Sequence, residues 1–120
     1  MHEYKARVLR VVDGDTLDVD IDCGFSVHVH ERLRLLGVDT PETYGVKQDS
    51  VEYARGMKAK DFVINWLEDA GGVVVIRTTK DRFTKGKYGR WLAEVCDPRS
   101  EKPTLNACLL VAGLAVKIES

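Results

Sequence analysis

The chain has 120 residues, 44% of them hydrophobic and 31% charged, with 18 basic residues against 19 acidic and a net charge of −1. That length suits one domain with one core and requires no disulfide framework. No apolar run approaches the ~20 residues of a membrane helix. The charge balance counts against a passive nucleic-acid binder that is basic overall.

In chain order, residues 4 to 12 are rich in Val and Leu and read as a strand. Asp13-Gly14-Asp15 breaks that run with turn chemistry, Gly accepting positive φ and Asp bonding its own backbone. Residues 15 to 22 alternate, with Leu17, Val19 and Ile21 on one face and Thr16, Asp18, Asp20 and Asp22 on the other, the pattern of a half-buried strand. Cys23-Gly24 is the next turn. The following strand alternates Val27, Val29, Leu33 and Leu35 against His28, His30, Arg32 and Arg34. A polar loop with Pro41 and Gly45 spans 40–50. A helix is predicted from about 50 to 70, with Ser50 as N-cap and Val51, Ala54, Lys58, Phe62, Trp66 and Ala70 at helical spacing, reinforced by Ala59, Val63 and Leu67. Gly71-Gly72 ends it. Val73 to Ile76 reads as a buried strand, about 90 to 96 as another, and 104 to 112 as a second helix ending at Gly113.

Three strands, a helix, two strands and a helix give an α+β, mainly β layout. It is that of a five-stranded OB-fold barrel with two or three flanking helices, here as a single domain over 1–120. Between the last two strands, Arg77, Lys80, Arg82, Lys85, Lys87 and Arg90 fall in one stretch with only Asp81 opposing them. Composition alone favours reading such a run as a solvated loop.

The chemistry-bearing group is Asp13, Asp15, Arg34, Asp39, Thr40, Glu42 and Arg90. A tight turn near Gly24 would set Arg34 opposite Gly14, beside Asp15, with Asp39 just past the strand end and Glu42 one short turn further. Several carboxylates at one rim repel unless a cation joins them. Oxygen donors suit calcium or magnesium, and an arginine beside them suits a phosphate. Taken singly, each motif is an ordinary turn or loop corner.

Val12-Asp13-Gly14-Asp15-Thr16, followed by Arg34-Leu35-Leu36-Gly37-Val38-Asp39-Thr40-Pro41-Glu42, resembles the paired signatures of the thermonuclease (staphylococcal-nuclease-like) family. Lys87-Tyr88-Gly89-Arg90 resembles its third signature, and Leu105-Asn106 with Leu110, Gly113, Leu114 and Ala115 resembles the helix after its barrel. The resemblance implies a calcium (Ca2+)-dependent endonuclease that hydrolyses phosphodiester bonds of DNA or RNA and leaves 3′-phosphate ends. It implies Asp15 and Asp39 as side-chain metal ligands and Thr40 as a ligand through its carbonyl. Asp13 would act through water, and Glu42 would position or activate the attacking water. Arg34 and Arg90 would hold the phosphate, with Lys87 and Tyr88 contacting nucleotide phosphate. Gly86 stands where the family often has Asp. A catalytically weak nucleic-acid- or protein-binding barrel of the same fold is the alternative, and the retained acids and arginines speak against it.

Other residues have plainer readings. His28 and His30 share a strand face and could form a two-residue metal site, but no third soft ligand is visible in the sequence. Trp66 is expected in the core, and Trp91 in packing rather than on a base. Cys23, Cys96 and Cys108 match no CxxC pattern and read as small buried hydrophobes. The residues after Met1 contain no apolar signal-peptide segment, so the protein is expected inside the cell or exported by a signal lying outside this sequence. A monomer with no obligate protein partner is expected.

Overall fold

The computed structural model describes residues 2–80 and 91–118. Five strands close a barrel: β1 (His2–Asp13), β2 (Thr16–Asp22), β3 (His28–Leu35), β5 (Val73–Lys80) and β6 (Trp91–Cys96), in the order β1-β2-β3-β6-β5. Four of the five seams are antiparallel. The closing seam pairs β3 with β6 in parallel, Leu33 opposite Trp91 and Leu35 opposite Ala93. Helix α1 (Val51–Asp69) lies between the third and fourth barrel strands, as an OB-fold requires. Helix α2 (Leu105–Val111) follows β6, and the short strands β4 (Val38–Asp39) and β7 (Val116–Lys117) pair beside the barrel.

Alternation determines what the barrel holds. Leu17, Val19, Leu33, Leu35, Val74, Ile76 and Val95 are fully buried, while the intervening polar residues face outward. Both predicted helices form: Ser50 Oγ, the expected cap, accepts from the Tyr53 amide at 3.1 Å, and Thr104 Oγ1 caps the second helix by accepting from the Ala107 amide at 3.1 Å. Trp66 and Trp91 pack against the core, and Lys80 Nζ lies 4.3 Å from the Trp91 ring centre.

Several expectations need correction. Thr16, not Gly14, faces Arg34. The β2–β3 loop is longer than a tight turn: Cys23 N donates to Val27 O at 2.9 Å, and Phe25 and Ser26 both adopt positive φ. The register therefore moves by two residues, an even shift that leaves every side chain on its expected face. The buried stripe of α1 is Gly56, Ala59, Val63, Leu67 and Ala70, whereas Val51, Ala54 and Lys58 are exposed. Strand β5 continues past Ile76 to Lys80 because Arg77 to Lys80 keep pairing with β6. The cysteines are not buried as a group. Cys23 is exposed on the hairpin, Cys96 and Cys108 are half-buried, and all three are free.

Asn106 is the main polar member of the core. Its Oδ1 accepts from Val95 N at 3.1 Å, and its Nδ2 donates to Leu36 O at 2.9 Å and Ala93 O at 3.0 Å. One amide thus ties α2 to the β3–β6 seam that closes the barrel. The sequence placed Asn106 in the helix after the barrel but not its bonds, since its hydrogen-bond partners lie in remote segments.

Candidate active site at the barrel rim

The site begins where β1 turns into β2. Asp15 is buried there, and its backbone carbonyl accepts from Leu35 N at 2.8 Å, which fixes the turn to the end of β3. Its side chain accepts from Thr16 Oγ1 at 2.9 Å and from Thr40 N at 3.2 Å. Arg34 projects from β3 beside it. Arg34 Nη2 lies 2.8 Å from Asp39 Oδ1 and 3.7 Å from Asp15 Oδ2. Arg34, Asp15, Asp39 and Thr40 are therefore one cluster, assembled from two strand ends and the loop after β4.

Two glycines permit this assembly. A Cβ on Gly14 would sit 2.8 Å from Ala59 Cβ and 3.0 Å from Thr40 Oγ1. Gly14 has no positive φ, so close approach, not turn conformation, requires glycine there. A Cβ on Gly56 would lie 2.8 Å from Pro41 O and 2.9 Å from Glu42 O. The loop carrying Thr40 to Thr43 thus rests directly on the α1 backbone. A helix-interior glycine costs about 1 kcal/mol relative to alanine, and that cost was the sequence signal for a packing constraint at Gly56.

Asp13 clamps the other side of this loop. Its Oδ1 accepts from Thr43 N at 3.3 Å and from Thr43 Oγ1 in a short hydrogen bond. Glu42 is exposed and, with Asp39 and Thr40, lines a cavity of about 840 Å³ whose opposite walls are α1 and the segment 113–116. Arg55 and Lys58 of α1 also face this cavity, a pair of cations that the sequence reading did not single out. Arg90, Lys87 and Tyr88 lie outside the described residues.

Electrostatics at the cluster are dominated by burial. Desolvation pushes the Asp15 carboxyl above its ordinary range, although the Thr40 amide, the Thr16 hydroxyl and Arg34 all pull it down. Neighbouring Thr40 Oγ1 is buried without a hydrogen-bond partner. A buried carboxylate short of positive charge, a second carboxylate and only oxygen donors around them make a set that fits a hard divalent cation. Among the described residues no three His, Cys, Asp or Glu side chains gather around one point. A cation here would rely on two carboxylates, backbone oxygen and water.

A closed five-stranded barrel of this topology, with acids and an arginine at one rim, is an OB-type domain with a charged candidate site. The family model described as Staphylococcal nuclease homologue matches residues 32–120, and the chain belongs to that family. The match contains Arg34, Asp39, Thr40, Glu42 and Arg90, while Asp13 and Asp15 precede it. The chain is 38% identical over 94 residues to the thermonuclease of Staphylococcus hyicus, covering 78% of this chain and 49% of that protein. To the thermonuclease of Staphylococcus intermedius it is 42% identical over 88 residues, covering 73% and 46%. To the endonuclease YhcR of Bacillus subtilis it is 31% identical over 96 residues, covering 78% and 7%. The chain thus spans about half the length of the two thermonucleases. Among the described residues, no helix is long and apolar enough to cross a membrane.

Proposed function

We propose that this rim hydrolyses phosphodiester bonds of DNA or RNA with the help of calcium. The observation that carries the reading is Arg34 Nη2 standing 2.8 Å from Asp39 and 3.7 Å from buried Asp15. A guanidinium beside two carboxylates is the pairing that a metal-bound phosphate uses. Family membership and the thermonuclease relatives support the same chemistry.

Asp15, Asp39 and the Thr40 carbonyl would hold the calcium, which supplies polarisation of a phosphoryl oxygen when bound. Glu42, exposed on the cavity wall, would orient an attacking water and accept its proton. Arg34 spends one terminal nitrogen on Asp39. Its remaining donors, which have no hydrogen-bond partner among the described residues, are left to grip a phosphate and offset charge in the transition state. Arg90 would join it there, with Lys87 and Tyr88 on a neighbouring phosphate. Asp13 would work through Thr43, holding the loop that presents Glu42. Arg55 and Lys58 add positive charge beside the path a strand would take.

The test is cleavage of labelled single- and double-stranded DNA and RNA in calcium, magnesium or chelator, with product ends mapped. Calcium-dependent cleavage with 3′-phosphate ends and poor support by magnesium is expected, since magnesium demands tighter octahedral geometry. Equal rates in chelator would overturn the metal assignment. No cleavage under any condition would favour a binding barrel.

A further inference from the structure

The β2–β3 ladder carries a second polar cluster, toward the end opposite Arg34. The sequence shows two histidines at alternate positions of β3 and no third ligand. The observed register supplies one, because Asp20 pairs directly with His30 and Asp22 with His28. His28 Nδ1 lies 3.3 Å from Asp20 Oδ1, and His30 Nε2 lies 3.7 Å from the same oxygen. Asp20 Oδ1 is shielded from solvent and accepts no hydrogen bond. The nearby guanidinium of Arg32 is engaged by Asp18 through contacts of 2.8 and 3.2 Å. Arg7 is the residue opposite Asp20 on β1, and no ion pair joins them among the described residues.

Distance decides what this arrangement suits. An N–H···O hydrogen bond spans ~2.7–3.2 Å, so both imidazoles stand back from the carboxylate. Around a tetrahedral zinc ion with bonds of ~2.0–2.1 Å, neighbouring donor atoms lie ~3.4 Å apart. The two separations straddle that value. Two imidazoles and one carboxylate form a ligand set for a borderline transition metal, unlike the all-oxygen rim. As placed, Asp20, His28 and His30 are not a group of three able to hold a metal ion, so the set closes only by side-chain rotation. His30 has a side chain 73% exposed and can rotate freely to complete the set.

We propose that Asp20, His28 and His30 form a zinc-class divalent metal site on the outer face of the barrel, with water completing the tetrahedron. Such an ion would tie β2 to β3 beside the hairpin whose tip carries Phe25 and Ser26 at positive φ. The site is separate from the rim, and its test does not depend on cleavage.

The experiment titrates zinc chloride into the full chain in calcium-containing, non-chelating buffer, followed by calorimetry, thermal melting and imidazole NMR. One zinc per chain, a raised melting temperature and shifted His28 and His30 resonances with His2 unchanged are expected. His28→Ala, His30→Ala and Asp20→Asn should each weaken binding severalfold or more, and the double histidine variant should abolish it. His2→Ala and Cys23→Ser should bind as the parent does. These histidines are exposed, so the variants should keep the parent circular dichroism. Undetectable binding, binding that survives the double histidine variant, or binding lost in Cys23→Ser would each overturn the proposal.

Discussion

At one end of the β2–β3 ladder Arg34 stands beside Asp15 beneath a loop and a helix; at the other, His28 and His30 stand beside Asp20 on an open strand face. Both groups come from the same alternating pattern of the same two strands. The Asp15 side chain is 9% exposed and that of Asp20 26%; Arg34 is 24% exposed and His30 73%. What separates them is cover. Gly14 and Gly56 let α1 and the Pro41 loop close over the first group, and among the described residues nothing comparable reaches the second. Burial raises the cost of ionising Asp15 and strengthens every charge interaction there. The open end keeps two exposed imidazoles beside a carboxylate, groups that a borderline metal can recruit.

The sharpest way to break this contrast is at Arg34. Arg34→Ala should lower the cleavage rate by ~10²–10³ with the fold retained. Arg34→Lys should recover little, because a point charge does not replace a planar fork. Initial rates and melting curves on the same preparations check both. Full activity in Arg34→Ala would remove the rim from the chemistry.

Removing the cover should cost less. Gly56→Ala places a Cβ against Pro41 O and Glu42 O and must displace the loop. Cleavage should fall by about 10- to 100-fold through misplacement of Glu42 and Thr40. The helix itself gains from alanine by up to about 1 kcal/mol, so the melting temperature should change less than the rate does. A large loss of stability with unaltered turnover would mean that the loop is not the positioning element.

Asn106→Ala tests the seam that carries both ends. It leaves the Val95 amide and the Leu36 carbonyl without their Asn106 partner, while Ala93 O keeps its bond from Leu36 N, and should cost about 2–3 kcal/mol in urea unfolding. A cost below about 0.5 kcal/mol would show that water or repacking satisfies those groups.

The electrostatic side of the comparison is testable through pH. The Asp15 carboxyl is raised above its ordinary value of 3.8 by burial. The folded chain therefore binds that proton more tightly than the unfolded chain does. In chelator, this group adds stability as pH falls from neutral toward the ordinary carboxylate range, and the gain is lost as pH rises through its folded value. Asp15→Asn should remove that slope and leave neutral, metal-free stability equal or higher. Unfolding curves for both proteins between about pH 4 and 7 give the difference. A variant with the parent slope would show that Asp15 titrates normally. At the open end the smallest effect is expected: Phe25→Ser, at a fully exposed hairpin tip, should change stability by less than about 0.5 kcal/mol.

Much of the fold was legible because it depends on local period and punctuation. Alternation gave the buried faces of β2 and of β3 at Leu33 and Leu35, helical spacing with Ser50 and the stop at Gly71-Gly72 gave α1, the run ending at Gly113 gave α2, and motif order gave the family. The clustering of Asp15, Arg34, Asp39 and Thr40 was also legible, because strand ends and their adjoining loop gather at one rim. The two-residue slip in the hairpin was not legible. It depends on Phe25 and Ser26 entering the left-handed region, which no propensity favours for Phe.

Tertiary structure alone decided the rest. It rotated the buried stripe of α1 onto Gly56 and Ala59, because the loop backbone had to pass where a side chain would otherwise stand. It turned Asp13 toward Thr43, gave Asn106 its three partners, and brought Asp20 between two histidines. Each of these depends on a contact between segments far apart in the chain, and such contacts leave no period in the sequence to read.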